Sequence, residues 1–125
     1  MKGVFPILST PFNSKDNIIY EDVHSEVEYA IESGVNGIAI ALASEIYKLT
    51  DQERNELLRS VVDFANKRIK VCMNTTAEST KLCIEYSRKA EELGADAVMI
   101  APPSFNGVDA NEIKKYFLNT ASKIN

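Results

Sequence analysis

The chain has 125 residues, of which 45% are hydrophobic and 26% charged, enough length and apolar content for one domain with a buried core. Its net charge of -4 argues against a nucleic-acid partner, because phosphate backbones attract basic surfaces. No apolar run approaches the roughly 20 residues of a membrane-spanning helix, and Pro6 comes too early for a signal peptide, so we expect a cytoplasmic protein without a membrane partner.

Four apolar runs alternate with segments of helical periodicity along the chain. The runs begin near Val4, Gly37, Ile69 and Ala97, at intervals of about 30 residues, which is the length of a strand-helix unit. Such units form parallel sheets with right-handed crossovers. We therefore predict strands over residues 4–8, 37–42, 69–73 and 97–101, within a single α/β domain over residues 1–125.

Each predicted strand is followed by an amphipathic helix. The first helix runs from about Glu21 to Ser33 and ends at Gly34, whose backbone freedom suits a left-handed stop. Thr50 and Glu53 match a capping box, so the second helix begins there. The expected inward residues of these two helices are Val23, Val27, Ala30, Ile31, Leu57, Leu58, Val61, Val62 and Ala65.

The third and fourth helices follow the same logic. The third comes after a polar turn at residues 74–76, and the fourth begins at Asp109, where residues 109–112 resemble a second capping box. Their expected inward residues are Leu82, Cys83, Tyr86, Ala90, Leu93, Ile113, Tyr116, Phe117, Ala121 and Ile124. Four strand-helix units thus account for almost the whole chain.

The segment after the second predicted strand is the best candidate for a ligand site. In α/β proteins ligands bind where the carboxyl ends of parallel strands open onto helix amino termini. Residues 41–45 carry a hydroxyl and a carboxylate at such a junction. We therefore expect a ligand to bind at this turn, with Ser44 as the best candidate contact, although serine is also a common turn residue.

Several motifs, in this order along the chain, resemble the dihydrodipicolinate synthase and N-acetylneuraminate lyase group of pyruvate-dependent aldolases. They are Ser-Thr-Pro-Phe at 9–12, Gly-Val-Asn-Gly-Ile at 34–38, Ser-Glu at 44–45 with Leu-Thr at 49–50 and Glu-Arg at 53–54, Ser-Thr at 79–80, and Gly-Ala-Asp-Ala-Val-Met at 94–99 with Pro103 and Asn106. Each motif alone is weak, but together they are specific.

This resemblance implies the first four strand-helix units of a (β/α)8 TIM barrel, a half barrel with parallel strand order 1-2-3-4. In the family, a lysine on the sixth strand forms a Schiff base with a keto acid, and a tyrosine on the fifth strand is the general acid and base. Both positions would lie beyond Asn125, so no catalytic residue is expected within this chain. The resemblance implies a pyruvate-like substrate and a homo-oligomer, with no cofactor and no metal.

The resemblance also implies a carboxylate pocket at residues 41–45, and the sequence departs from the family there. Family members carry Gly-Thr-Thr-Gly-Glu, whereas Leu42 and Ala43 occupy the two hydroxyl positions here. Backbone donors of Ala43 and Ser44 can still bind a carboxylate, but a threonine proton relay is lost. Phe105 stands where members that make dihydrodipicolinate have a relay tyrosine. We therefore expect a variant branch with a different aldehyde or keto-acid substrate.

Other residues near the predicted rim have two interpretations. Thr10, at the exit of the first strand, either contacts substrate or packs. Glu45 either shapes the pocket or bonds to local backbone, and the second role is more common at a strand-helix turn. Tyr47 either shapes the pocket or covers the barrel end.

The remaining reactive side chains have simpler interpretations. Lys15 and Lys48 are rim lysines, but a nucleophilic lysine needs desolvation or a cationic neighbour, and polar loops supply neither. His24 lies in the first helix, away from the strand ends, and is expected at the surface. Cys72 and Cys83 lack the spacing of a metal site and are expected to be reduced thiols.

Three hypotheses for function follow. The chain is the amino-terminal half of a Schiff-base aldolase, a non-catalytic half barrel that self-associates, or an unrelated small-molecule binding module with an open flavodoxin-like sheet. The third predicts a strand order that reverses at a switch point, whereas a half barrel predicts sequential order.

Overall fold

A computed structural model describes residues 1–104 and 109–124. The helices are α1 (Tyr20–Glu32), α2 (Asp51–Ala65), α3 (Thr80–Glu92) and α4 (Ala110–Ala121), and the strands are β1 (Gly37–Ile40), β2 (Lys70–Asn74) and β3 (Ala97–Met99). Two short 3-10 helices, Leu42–Ser44 and Ile46–Lys48, connect β1 to α2. None of the helices described is long and apolar enough to cross a membrane.

The three strands form one parallel sheet in the order β1-β2-β3. Ile38 pairs with Val71, and Met73 pairs with Val98, so neighbours in the chain are neighbours in the sheet. This sequential order matches the half-barrel prediction and contradicts the reversed order expected of a flavodoxin-like sheet.

The strand predicted over residues 4–8 is not formed as a regular strand. This segment runs parallel to β1 through a single bridge between Ile7 and Ala39. The Leu8 N–H donates to the Ala39 carbonyl and the Ala39 N–H donates to the Pro6 carbonyl, both at 2.9 Å. Because Pro6 has no N–H, the ladder is interrupted there. The segment therefore occupies the place of a first strand next to β1 without its full pairing.

The other predicted strands exist but differ at their ends. β1 stops at Ile40 rather than 42, because the chain turns into a 3-10 helix at Leu42. β2 runs one residue further, to Asn74, and β3 stops at Met99 rather than 101, before two prolines. β2 also begins one residue later than predicted, at Lys70. Where β1 and β3 end early, side-chain hydroxyls accept the next free N–H groups: Ser44 accepts that of Ala41, and Thr76 accepts that of Ala101.

The main core lies between the sheet and the helices α1 and α2. Strand side chains alternate between two faces, and those facing the helices are large. The buried residues of this core include Leu8, Val23, Val27, Ile38, Ile40, Leu57, Leu58, Val61, Val71 and Met73. The opposite face of the sheet carries mostly small side chains, among them Gly37, Ala39 and Cys72.

The predicted capping box is confirmed at the start of α2. The Glu53 N–H donates to the Thr50 hydroxyl at 3.2 Å, and the Thr50 N–H donates to the Glu53 carboxylate at 2.8 Å. The latter hydrogen bond lowers the pKa of Glu53. At α4, the Asp109 carboxylate accepts hydrogen bonds from the N–H groups of Asn111 and Glu112. Both helices therefore begin as the sequence predicts.

Two of the expected inward residues are exposed. Leu82 and Ala121 face solvent, whereas Ser87 and Thr120 are fully buried in α3 and α4. The Ser87 hydroxyl donates to the Cys83 carbonyl at 2.7 Å, and the Thr120 hydroxyl donates to the Tyr116 carbonyl at 2.9 Å. A hydroxyl that donates to a carbonyl of its own helix keeps a hydrogen bond when it is buried, so its burial costs little free energy. Hydrophobic periodicity does not detect such residues, and the prediction of these two buried faces was therefore partly wrong.

Candidate functional site

The turn after β1 is the centre of the predicted site. Ala41 is buried and extended, and the 3-10 helix Leu42–Ser44 follows it. Glu45 then adopts a left-handed conformation with φ of 58°, an uncommon backbone for a residue with a side chain. The chain thus makes a tight bend at the carboxyl end of β1, where an α/β sheet binds ligands.

Ser44 fixes this bend from inside. Its side chain is 0% exposed, and its hydroxyl donates to the Leu8 carbonyl while accepting the Ala41 N–H at 3.1 Å. The Ser44 N–H also donates to the Ala41 carbonyl at 2.9 Å. Ser44 therefore joins the end of the first segment to the end of β1, and its own polar groups are already used.

Thr10 adds a second connection between the same two chain segments. Its hydroxyl donates to the Ser44 carbonyl at 2.5 Å, and the residue is buried. The structure thus brings together Thr10 and Ser44, which were both predicted as site residues. Each hydroxyl donates to a backbone carbonyl of the protein, so neither donor points freely towards a ligand.

Leu42 and Ala43 occupy the outer side of the bend. Both side chains are exposed. The structure pairs the N–H groups of the next two residues within the turn, whereas within residues 1–104 and 109–124 no carbonyl or side chain accepts the N–H of Leu42 or Ala43. The structure thus leaves two adjacent N–H groups at the carboxyl end of β1 without an acceptor among the described residues.

Glu45, Tyr47 and Lys48 lie on the next part of the rim. The Lys48 ammonium donates to the Glu45 carboxylate at 3.1 Å and lies 5.7 Å from the centre of the Tyr47 ring. The hydrogen bond with Glu45 raises the pKa of Lys48. A raised pKa is the opposite of what a Schiff-base lysine needs. Lys48 acts as a charged partner of Glu45, and Tyr47 projects into solvent.

The turn after β2 holds a polar network that the sequence interpretation did not assign to the site. The Thr76 N–H donates to the Asn74 side chain at 3.0 Å, and the Ala101 N–H donates to the Thr76 hydroxyl at 2.8 Å. Thr75 shares a 2.8 Å hydrogen bond with Ser87 of α3. The consecutive polar residues Asn-Thr-Thr at the end of an apolar strand were the available signal.

Tyr116 anchors this turn from α4. Its hydroxyl donates to the Ala77 carbonyl at 2.9 Å, and the residue is buried. Burial raises the pKa of Tyr116 to about 12, and a hydrogen bond with the Cys83 side chain adds to the effect. Tyr116 therefore serves as a structural hydrogen-bond donor that connects α4 to the turn after β2.

The turn after β3 is described as far as Ser104. The Ser104 hydroxyl and N–H both donate to the Glu78 carboxylate, at 2.6 and 3.1 Å. Ser104 thus ties the end of the β3 turn to the turn after β2. Phe105, predicted to shape the pocket, lies outside the described residues.

Away from these turns, a groove lies between α2 and α3 on the helix side of the sheet. The Arg54 guanidinium sits 4.1 Å from the centre of the Tyr86 ring and donates to the Asn74 carbonyl at 3.3 Å. The Tyr86 hydroxyl donates to Asp51 at 2.8 Å, and burial lowers the pKa of Arg54. Through the hydrogen bond to Asn74, these contacts hold the carboxyl end of β2 on its helix side.

The other reactive side chains stay away from the rim. His24 is exposed in α1, 3.4 Å from Glu28. Cys72 and Cys83 are unpaired and buried, and burial raises the pKa of Cys72. In the described part of the chain, no three histidine, cysteine or carboxylate side chains are grouped so as to hold a metal ion.

Comparison with known proteins gives a consistent result. The sequence model of the Dihydrodipicolinate synthetase family matches residues 1–124. A 4-hydroxy-tetrahydrodipicolinate synthase from Methanococcus vannielii is 33% identical over 125 residues, which cover 99% of this chain and 43% of that protein.

Solved structures agree with the sequence comparison. A crystal structure of a dihydrodipicolinate synthase superposes with a TM-score of 0.94 at 32% identity, covering all of this chain and 43% of that one. A second dihydrodipicolinate synthase, from Bacillus anthracis, gives a TM-score of 0.90 at 30% identity over 97% of this chain and 42% of its own. The chain thus spans less than half the length of the relatives it matches.

Proposed function

Given that this chain belongs to the dihydrodipicolinate synthetase family, we propose that it supplies the amino-terminal half of a Schiff-base lyase barrel. The observation that carries the proposal is the pair of available N–H groups of Leu42 and Ala43 at the carboxyl end of β1, where the family binds a keto-acid carboxylate. Carbon-carbon bond formation or cleavage would then require the strands that bear the lysine and the tyrosine.

The bend after β1 is suited to a carboxylate. Adjacent backbone donors attract an anion, and they act without the threonine hydroxyls that the family usually places there. We assign carboxylate contact to the Ala43 N–H, assisted by that of Leu42. Ser44 and Thr10 hold the bend in shape through their buried hydroxyls, so their role in binding is to position these donors.

The surroundings of the bend define the rest of the pocket. Leu42, Glu45, Tyr47 and Phe105 would shape it, with an apolar side chain where relatives have a hydroxyl. The substrate class is a pyruvate-like keto acid, and the second reactant differs from that of enzymes with the full threonine turn. No cofactor takes part, since the Schiff base itself is the electron sink.

The setting of the protein follows from the same family membership. We expect the complete barrel to be a homo-oligomer that acts in the cytoplasm. The buried, unpaired thiols of Cys72 and Cys83 fit a reducing compartment. The four-unit half barrel is supported by the position of residues 4–8 beside β1, where the first of four strands would lie.

Amide chemical shifts during a pyruvate titration test the carboxylate site. We expect the amide signals of Leu42 and Ala43 to move more than those of other residues, because an anion that accepts their N–H groups changes their shielding. Methyl pyruvate is the matched control, since it keeps the ketone but lacks the negative charge. Equal shifts with both compounds, or shifts confined to other turns, would contradict the assignment.

Borohydride trapping tests the covalent step. We expect no pyruvate adduct by mass spectrometry when this chain alone is incubated with pyruvate and borohydride, because the required lysine lies outside it. Lys48 is held as a charged partner of Glu45. An efficient adduct on Lys48 or Lys15 would refute the proposal that the chain lacks its nucleophile.

A further inference from the structure

Asn74, the last residue of β2, carries a side-chain donor that none of the described residues uses. The residue is buried, with an exposed fraction of 2%. Its side-chain oxygen accepts the Thr76 N–H at 3.0 Å. Because a backbone N–H needs an acceptor, this hydrogen bond holds the oxygen towards Thr76 and turns the amide nitrogen the other way. Within residues 1–104 and 109–124, no group accepts a hydrogen bond from that nitrogen.

A buried amide nitrogen without a partner is unusual, because its desolvation is not repaid. In the described part of the chain, every side-chain nitrogen or oxygen that is completely buried has a hydrogen-bond partner. The Asn74 nitrogen has no such partner, so it keeps some access to solvent at the end of β2. A donor held in this way can bind an acceptor that a ligand brings.

The register of the sheet places this donor beside the bend after β1. Ile40 pairs with Met73, so the next residues along the two segments, Ala41 and Asn74, lie at the same level and about 5 Å apart. Ile40 and Met73 pack in the core against the helices. Side chains alternate along a strand, so Ala41 and Asn74 belong to the opposite face of the sheet. Asn74 therefore lies on the face and at the level where the bend begins.

Donors without a partner thus come from two neighbouring strands. From β1 they are the backbone N–H groups of Leu42 and Ala43, and from β2 the Asn74 amide. The Arg54 guanidinium, which donates to the Asn74 carbonyl at 3.3 Å, adds a positive charge nearby. A ligand that satisfies these groups must accept hydrogen bonds, and a carboxylate is an acceptor with a negative charge and no hydrogen of its own.

We propose that Asn74 is a further binding residue of this site, whose amide donates to one oxygen of a substrate carboxylate while Leu42 and Ala43 donate to the other. This inference rests on the carboxylate site proposed above. A carboxylate accepts about four hydrogen bonds on its two oxygens, so donors from two strands can hold it in one orientation. The amide does not ionise, so Asn74 positions the substrate and transfers no proton.

The side-chain N–H₂ signals of Asn74 test this assignment in the unmodified chain. During the pyruvate titration they should move together with the backbone amides of Leu42 and Ala43, whereas methyl pyruvate should leave them in place. If only the backbone signals move, this inference fails and the carboxylate site stands. If none of these signals moves, the carboxylate site itself fails, and Asn74 has no ligand there. Equal movement with methyl pyruvate would overturn the inference, since the ester has no negative charge.

Asn74→Asp removes the donor but keeps an acceptor for the Thr76 N–H. It places a negative charge opposite the substrate carboxylate, so we expect the pyruvate dissociation constant to rise about tenfold or more. Asn119→Asp is the matched control, because it adds the same charge at an exposed position of α4 and should leave the constant unchanged. Parental affinity in Asn74→Asp, or equal weakening in both variants, would overturn the inference. If Asn74→Asp does not fold, the side-chain signals of the unmodified chain decide.

Discussion

Replacing Ser44 by alanine should destabilise the protein far more than the loss of one surface hydroxyl would. The Ser44 hydroxyl is fully buried, donates to the Leu8 carbonyl and accepts the Ala41 N–H. Ser44→Ala leaves both backbone groups without this partner, at a cost of about 1–3 kcal/mol for each buried unsatisfied group. We expect the free energy of unfolding to fall by about 2–4 kcal/mol.

Urea denaturation measures this loss directly. With a slope of about 2 kcal/mol per molar urea, the middle of the usual range, the midpoint should fall by roughly 1–2 M. Ser25→Ala is the matched control, because the Ser25 hydroxyl donates to a carbonyl of its own helix at 2.9 Å and is exposed. It should change stability by less than about 0.5 kcal/mol. If the two variants unfold at the same urea concentration, Ser44 does not hold the bend.

Three further changes probe other parts of the scaffold. Thr50→Ala removes the cap that accepts the Glu53 N–H and should cost about 1 kcal/mol of unfolding free energy in urea denaturation; no change would contradict the capping role. The pKa of Asp96 is lowered, since hydrogen bonds with Lys70 and a backbone N–H outweigh the opposing effect of burial. Stability from this carboxylate is therefore complete above its unfolded pKa of about 3.9 and is lost as pH falls through the lower folded pKa. Asp96→Asn should differ from the parent at pH 6 by up to about 1 kcal/mol and converge with it in strong acid, whereas a constant difference would refute the ion pair. Tyr116→Phe removes the buried hydroxyl that donates 2.9 Å to a carbonyl after β2 and should cost about 1–2 kcal/mol by thermal unfolding, with an unchanged Tm as the contrary result.

The segment predicted as the first strand, residues 4–8, differs between the sequence prediction and the structure. An apolar run at residues 4–8 predicts a strand, and the segment does lie beside β1. The structure keeps only one bridge, because proline interrupts the ladder at residue 6. The hydrophobic pattern indicates that a segment is buried, but it does not show whether each residue has the N–H group that hydrogen bonding to a neighbouring strand requires.

The candidate site shows a similar division. The sequence places Ala43, Ser44 and Thr10 at the rim, and the structure brings them to adjoining turns. Their hydrogen-bond partners could not be read from the sequence, since Ser44 bonds to a carbonyl 36 residues earlier in the chain. The network of Asn74, Thr75 and Thr76 was missed because its partners lie in α3 and after β3.

The sequence by itself determined the order of strand-helix units, the capped start of α2 and the family, because these depend on local periodicity, on contacts three residues apart and on motif order. Tertiary structure alone decided which polar groups remain available. The Ser44 hydroxyl donates to the Leu8 carbonyl, and none of the described residues accepts the N–H groups of Leu42 and Ala43. Long-range hydrogen bonds decide which polar groups have a partner in the protein, and these bonds form only when segments distant in the sequence pack together.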